Sequence, residues 1–179
     1  SDMSVRVAWK RLKPADLGAT VVGSSEGNAV LAMGIVSFSG GQDPTLTTGS
    51  FVNAGSGTDT ATAPAVTPGS DDNMLVGIHA IKWNVSPFQR TIAASPGTYT
   101  ERVEEQAPRN SGSNAAVYMC TRLLSGGSGA SQTGLTMTAS SPQFKSYPST
   151  AVIAPGGPTG SAGDDQADIE PYSTVSLTG

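Results

Sequence analysis

The sequence predicts an all-β protein, an antiparallel two-layer β-sandwich of jelly-roll-like character, and three observations carry that prediction. Its periodic segments alternate with period two or are short apolar runs rich in β-branched residues, and none shows a sustained helical stripe. Its 179 residues include 22 Gly and 12 Pro, while charged residues make up only 13%, about half the usual share, so turns are frequent. Roughly nine or ten candidate strands follow one another at spacings of about 8–15 residues. Two long segments, Ala29–Ser39 and Met74–Trp83, are apolar on both faces, which favours a jelly roll over a smaller sandwich.

Taken in order, Val5–Leu12 (VRVAWKRL) sets Val5, Val7 and Trp9 on one face and Arg6, Ala8 and Lys10 on the other. Thr20–Gly23 reads as a short strand. Ala29–Ser39 (AVLAMGIVSFS) reads as a central strand covered on both sides, with Gly34 marking a bend or a close backbone approach. Residues 40–58 read as loop, with Gly40-Gly41 and Asp43-Pro44 as turn signals. Thr60–Thr67 is extended, and Pro64 keeps it near an edge. After the turn Pro68–Asn73, Met74–Trp83 (MLVGIHAIKW) is the strongest strand of the chain. Tyr99–Glu105 alternates as a half-exposed strand. Ala115–Leu124 and Gly134–Ser140 flank a flexible loop, Ser125–Thr133, and Lys145–Ala154 closes the body. A linker-like run from Pro155 leads to a final strand, Tyr172–Leu177, with no later segment to pair with.

The net charge is −4 and unevenly placed. Asp164, Asp165, Asp168 and Glu170 lie in the tail, which leaves ten acidic against ten basic side chains in residues 1–160. A neutral body argues against a nucleic-acid groove and against an anionic membrane surface. No run of 18 apolar residues is present, so no membrane insertion is expected. The single cysteine, Cys120, allows no internal disulfide and sits in an apolar run as a small buried hydrophobe.

No catalytic constellation emerges, and the chain is expected not to be an enzyme. His79 is the only histidine, on a strand face with Leu75, Gly77, Ile81 and Trp83, where a triad or a zinc site would need it as base or ligand. Its surroundings favour a hydrogen-bonded structural role. Glu101 and Glu105 share a strand face two pleats apart, within the range of a glycosidase pair, but the alternation with Arg102 marks a solvated face. Asp71 and Asp72, in the turn Asp71-Asp72-Asn73, are the weak candidates for a metal, calcium, because hard oxygen ligands in a turn suit it. No other cofactor is implied. Trp83, Asn84 and Tyr99 are the candidate ligand-binding residues: an aromatic ring stacks on the C–H side of a sugar, and Asn binds hydroxyls. Trp9 and Tyr147 are further aromatics of this kind. The Gly126–Gly129 loop lacks the Lys-Ser/Thr of a phosphate loop.

With the strands laid out, the order of motifs resembles a sandwich module of tail and virion proteins of phages that infect actinobacteria, and of related bacterial surface proteins. The matching stretches are Trp9-Lys10-Arg11, the Ala15–Gly18 turn, Ile35–Gly41, Thr60–Ala80, Pro96–Glu105 and Ala151–Pro155, so that the likeness covers residues 5–155. In such modules a strand with a Gly-Asp turn and a Gly-Trp motif usually comes before the Trp-Lys-Arg segment, and here the chain starts at that segment. The tail, AGDDQADIEPYSTVSLTG, is similar to the opening of a PKD-type Ig-like domain. The implied organisation is a leader left by cloning (1–4), the sandwich module (5–155), a Gly/Pro/acidic linker (156–171) and the first strand of a truncated Ig-like domain (172–179). A detached strand of that kind can pair with a sheet edge, its own or a neighbour's.

The resemblance implies a non-enzymatic structural or adhesive module of a phage tail or virion protein. Its expected partners are other virion or tail subunits, a host-surface glycan and further copies of itself, and its expected location is the virion. The alternative is a carbohydrate-binding or adhesion module of a secreted bacterial enzyme or surface protein, located extracellularly or at the bacterial cell surface.

Overall fold

The structure is a computed structural model that describes residues 3–24, 30–50, 52–54, 60–83, 90–93, 99–107, 114–139, 144–156 and 173–178. Among these residues the chain is all-β, with every strand pair antiparallel and no closed barrel. The strands are β1 (Ser4–Trp9), β2 (Thr45–Thr48), β3 (Val52–Ala54), β4 (Thr60–Thr62), β5 (Met74–Trp83), β6 (Arg90–Ala93), β7 (Thr100–Ala107), β8 (Asn114–Leu123), β9 (Thr136–Ala139), β10 (Phe144–Ile153) and β11 (Ser173–Thr178).

The main sheet runs β2-β10-β5-β8-β7, and β3 extends the β2 side by pairing with β10. β5 lies at its centre, bonded along its whole length to β10 on one side and β8 on the other. A strand in that position has no polar edge to expose, which is why Met74–Trp83 reads as apolar on both faces. Leu75, Gly77, His79, Ile81 and Trp83 turn to one face, opposite Ala116, Tyr118 and Cys120 of β8. A second sheet, β4-β9-β6, packs over this face. Its alternation is strict: Ala61 and Met137 point inward, while Thr60 and Thr62 face Thr138 and Thr136 across the ladder, the hydroxyls of Thr62 and Thr136 3.0 Å apart.

Two apolar clusters fill the space between these sheets. One holds Ala61, Ile81, Trp83, Ala116, Tyr118 and Met137. The other holds Leu75, Tyr99, Cys120, Leu124 and Leu135, with Ala63 and Val66. Burying each of Leu75, Ile81, Leu135 and Met137 is worth about 1.5–3 kcal/mol, so this layer outweighs solvent-screened ion pairs such as Lys10–Asp16 and Arg11–Asp43. The opposite face of the main sheet carries a third cluster, Val76, Ile78, Ala151 and Ile153, onto which Val7 of β1 packs.

β1 and β11 form a two-stranded ribbon in which Val7 faces Val175 and Val5 faces Leu177 in register. The tail strand thus pairs with an edge of its own chain. β1 shows the expected alternation, with Val5, Val7 and Trp9 half-buried and Arg6 and Ala8 exposed. Beyond it, a 3-10 turn over Pro14–Asp16 is held by Asp16 Oδ2, which accepts the Lys13 N–H at 2.8 Å, and Lys10 holds the Asp16 carboxyl below the usual carboxylate range.

Several sequence expectations are corrected. Thr20–Gly23 and the described part of Ala29–Ser39 form no strand. Residues 30–36 instead lie extended and face-down on the main sheet: Val30, Ala32, Gly34 and Val36 are half-buried, and a Cβ at Gly34 would stand 2.7 Å from Val103 Cγ1. The predicted close approach at Gly34 is real, but it is an approach to side chains, not to a neighbouring strand. The loop-rich stretch 40–58 contains β2 and β3, and β6 falls where no strand was predicted. These strands are three or four residues long, too short to show periodicity.

Candidate functional site

His79 lies at the middle of β5 with no exposure to solvent, pointing between the two sheets. Its Nε2 is 3.0 Å from the Leu135 carbonyl, which only accepts, so Nε2 carries the proton. Nδ1 then accepts from the Ser146 hydroxyl on β10 at 3.2 Å. Burial pushes the imidazole down to about 4, and the bond to the Leu135 carbonyl opposes this in part. Gly77, one pleat away, makes the approach possible, because a Cβ there would collide with Leu135. The Leu135 carbonyl also accepts the Ala63 N–H at 2.8 Å, and Thr150 Oγ1 donates to the Pro64 carbonyl at 2.7 Å. These bonds tie the main sheet to the segments around β4 and β9. His79 is therefore the structural histidine its surroundings implied, and what the sequence could not show is that it ties β5 to β10 and to the residue just ahead of β9.

The candidate sugar-stacking rings lie in the core. Trp83 is 3% exposed and its neighbours are Ala61, Ile81, Ala116, Tyr118 and Met137. Tyr99 is 8% exposed, and its hydroxyl donates to the Thr133 carbonyl at 3.4 Å. Burial pushes the Tyr99 phenol up, against the opposing pull of the Arg122 guanidinium. The faces a pyranose would need are occupied by protein. Tyr147 is buried as well, Trp9 is half-buried, and Asn84 lies outside the described residues.

Asp71 serves a loop contact. Asp71 Oδ1 accepts the Ser128 N–H at 2.9 Å, Ser128 Oγ donates to the Gly69 carbonyl, and Gly129 N–H donates to the Pro68 carbonyl. Asp72 adopts a φ of 56°, a conformation Asp tolerates in tight turns. Asn73 completes the turn through Ser70 and its carbonyl accepts the Leu124 N–H. The loop Ser125–Thr133, expected to be flexible, is docked on this turn. Among the described residues no group of three or more His, Cys, Asp or Glu could hold a metal ion.

Glu101 and Glu105 do not share a face. A bulge between Glu101 and Val103 shifts the register, so that Glu101 faces Cys120 while Glu105 faces Val117 on the other side of the sheet. Both carboxylates are exposed on the edge strand β7. No acid of this pair sits in an apolar pocket that would hold its proton for acid catalysis.

What the sequence missed is an exposed apolar row. Leu31, Met33 and Ile35 are 45%, 41% and 58% exposed, facing away from the main sheet, with exposed Val21 and Val22 on the segment that reaches them through Gly23. The signal was present as an apolar run on both faces, but periodicity cannot distinguish a second buried face from a bare one. From Gly27 to Gln42 the sequence carries no charged side chain. No helix among the described residues is long and apolar enough to cross a membrane.

No family model, no curated protein and no solved structure matches this chain.

Proposed function

We propose that the chain is a non-enzymatic structural module of a phage tail or virion protein, which meets neighbouring subunits through the face bearing Leu31, Met33 and Ile35. The observation that carries this reading is that exposed row. Contiguous apolar side chains on an uncharged extended segment are costly to leave in water, and such patches mark contact surfaces. The placement of the other candidates supports it: His79 and Trp83 are committed to the core, Asp71 to a loop contact, and the Glu101–Glu105 pair is split across the sheet. The main sheet and the β4-β9-β6 sheet are read as the two layers of a jelly-roll-like sandwich, supported by the clusters packed between them. The adhesive part of the reading, contact with a host-surface glycan, would have to use surface groups other than the buried rings.

Light scattering of the full chain at tens of micromolar tests the assembly face. The expected result is a dimer or larger species that Met33→Lys returns to monomer without loss of thermal stability. A strictly monomeric wild-type chain over that range counts against the reading. Cell-wall polysaccharide incubated with the protein is expected to release no new reducing ends. Release that disappears in a Glu101→Gln/Glu105→Gln variant would establish an enzyme instead.

A further inference from the structure

We propose that His79 is an acid-sensitive latch: uptake of a proton by its ring releases the β4-β9-β6 sheet from the main sheet. The geometry is that of a single ring bonded to both layers at once, to the Leu135 carbonyl just ahead of β9 and to Ser146 on β10. A proton added at Nδ1 places a full charge in the dry space between the sheets, where it is costly unless paired.

Among the described residues, the groups around the ring offer no pairing. Along its own strand the same face carries Leu75, Gly77, Ile81 and Trp83. Across the ladder lie Tyr118 on β8 and Pro148 on β10, with Cys120, Ser146 and Thr150 beside them. From the second sheet come Ala61, Ala63, Leu135 and Met137. Among these only Tyr118 and Cys120 titrate, and both are neutral in acid. The charged groups of the same face among the described residues are at its margins: Glu104 and Glu101, which pair with Tyr118 and Cys120 on the exposed edge strand β7, and Arg122, which pairs with Leu75 further along. Lys82 and Lys145 belong to the opposite face of the sheet. The ring is therefore stable only when neutral, and opening the layers to water is the way to charge it.

The second sheet is the part built to part. It is short, with ladders of three and four residue pairs, whereas β5 is held by ten pairs on each side. Its opening would bare Ile81, Trp83 and Met137 while leaving the main ladder intact.

Hydrogen exchange of the full chain from pH 7 to pH 5 tests the latch, because His79 is the only histidine and no other side chain has its ordinary pKa in that window. After correction for intrinsic exchange rates, the opening constant of amides in β4 and β9 is expected to rise roughly twentyfold, from the displacement of the buried ring relative to a solvated one. Amides at the centre of β5 and β8, which open only with the whole fold, are expected to keep a far smaller opening constant than those of β4 and β9 at every pH, and His79→Gln, which keeps a neutral donor for Leu135, is expected to remove the rise. The imidazole resonance of the wild-type chain, unambiguous with one histidine, reads proton uptake without any variant and should titrate together with the opening. The proposal is overturned if β4 and β9 show no pH dependence, if β5 and β8 exchange with the same opening constant as β4 and β9, or if His79→Gln keeps the full rise.

Discussion

Gly77 and His79 act as a pair: the absent side chain of one lets the other reach the Leu135 carbonyl. Gly77→Ala should lower stability by about 1–3 kcal/mol in thermal or denaturant unfolding, because the added methyl meets Leu135 in a packed layer. His79 also sets a direction for pH dependence. Its folded pKa, about 4, lies below the unfolded value of 6.5, so between these values the unfolded chain binds the extra proton. Stability contributed by the neutral ring is complete above the unfolded value, falls as pH drops through this window, and levels off below about 4. The total loss is of order 3 kcal/mol, and denaturant midpoints measured across the window should follow it in the wild type and not in His79→Gln. The sequence already placed this histidine on an apolar strand face, which is why a structural role was legible. Its bond partners were not, because Leu135 and Ser146 are 56 and 67 residues away.

The long strands were legible as elements because their burial is written along them. Met74–Trp83 coincides with β5, and β8 and β10 begin and end within a residue of the predicted Ala115–Leu124 and Lys145–Ala154. The edge strand β7 shows the limit of that reasoning: alternation extrapolated through Arg102 put Glu101 and Glu105 together, and one bulge separated them. Loops were less legible still. Gly126, Gly127 and Gly129 adopt positive φ, and read in isolation they signal flexibility, yet they bring Ser128 onto Asp71. Asp71→Ala should speed exchange of the Ser128 amide by about tenfold, for a lost bond to a carboxylate of about 1.5–3 kcal/mol discounted for its exposed setting. Added calcium should leave the wild-type melting temperature unchanged, since Asp71 is engaged with the backbone. A calcium-dependent rise would reinstate the turn as a metal site.

Across the whole molecule, the notable pairing is that of β1 with β11, which brings strands 169 positions apart in sequence, Ser4 and Ser173 at their starts, into one ribbon. Removing residues 173–179 should raise amide exchange across Ser4–Trp9 by an order of magnitude or more while β5 and β8 keep their protection. Unchanged protection of β1 would show that the ribbon does not hold in solution. The same scale explains the misread segment Ala29–Ser39. Its composition is that of a buried strand, and a strand it would be if a sheet edge lay beside it. Main-chain partners depend on where other segments run, and here the segment lies across the face formed by Val103, Val117 and Met119.

By itself the sequence determined the all-β class, the positions of the long strands, and the burial of β5 on both faces. These follow from side-chain periodicity and composition, which act locally. Tertiary structure alone decided which strands pair, where the register slips, which carboxylates meet, and which apolar face is left in water. Each of those depends on backbone partners far away in the chain, and no local pattern encodes them.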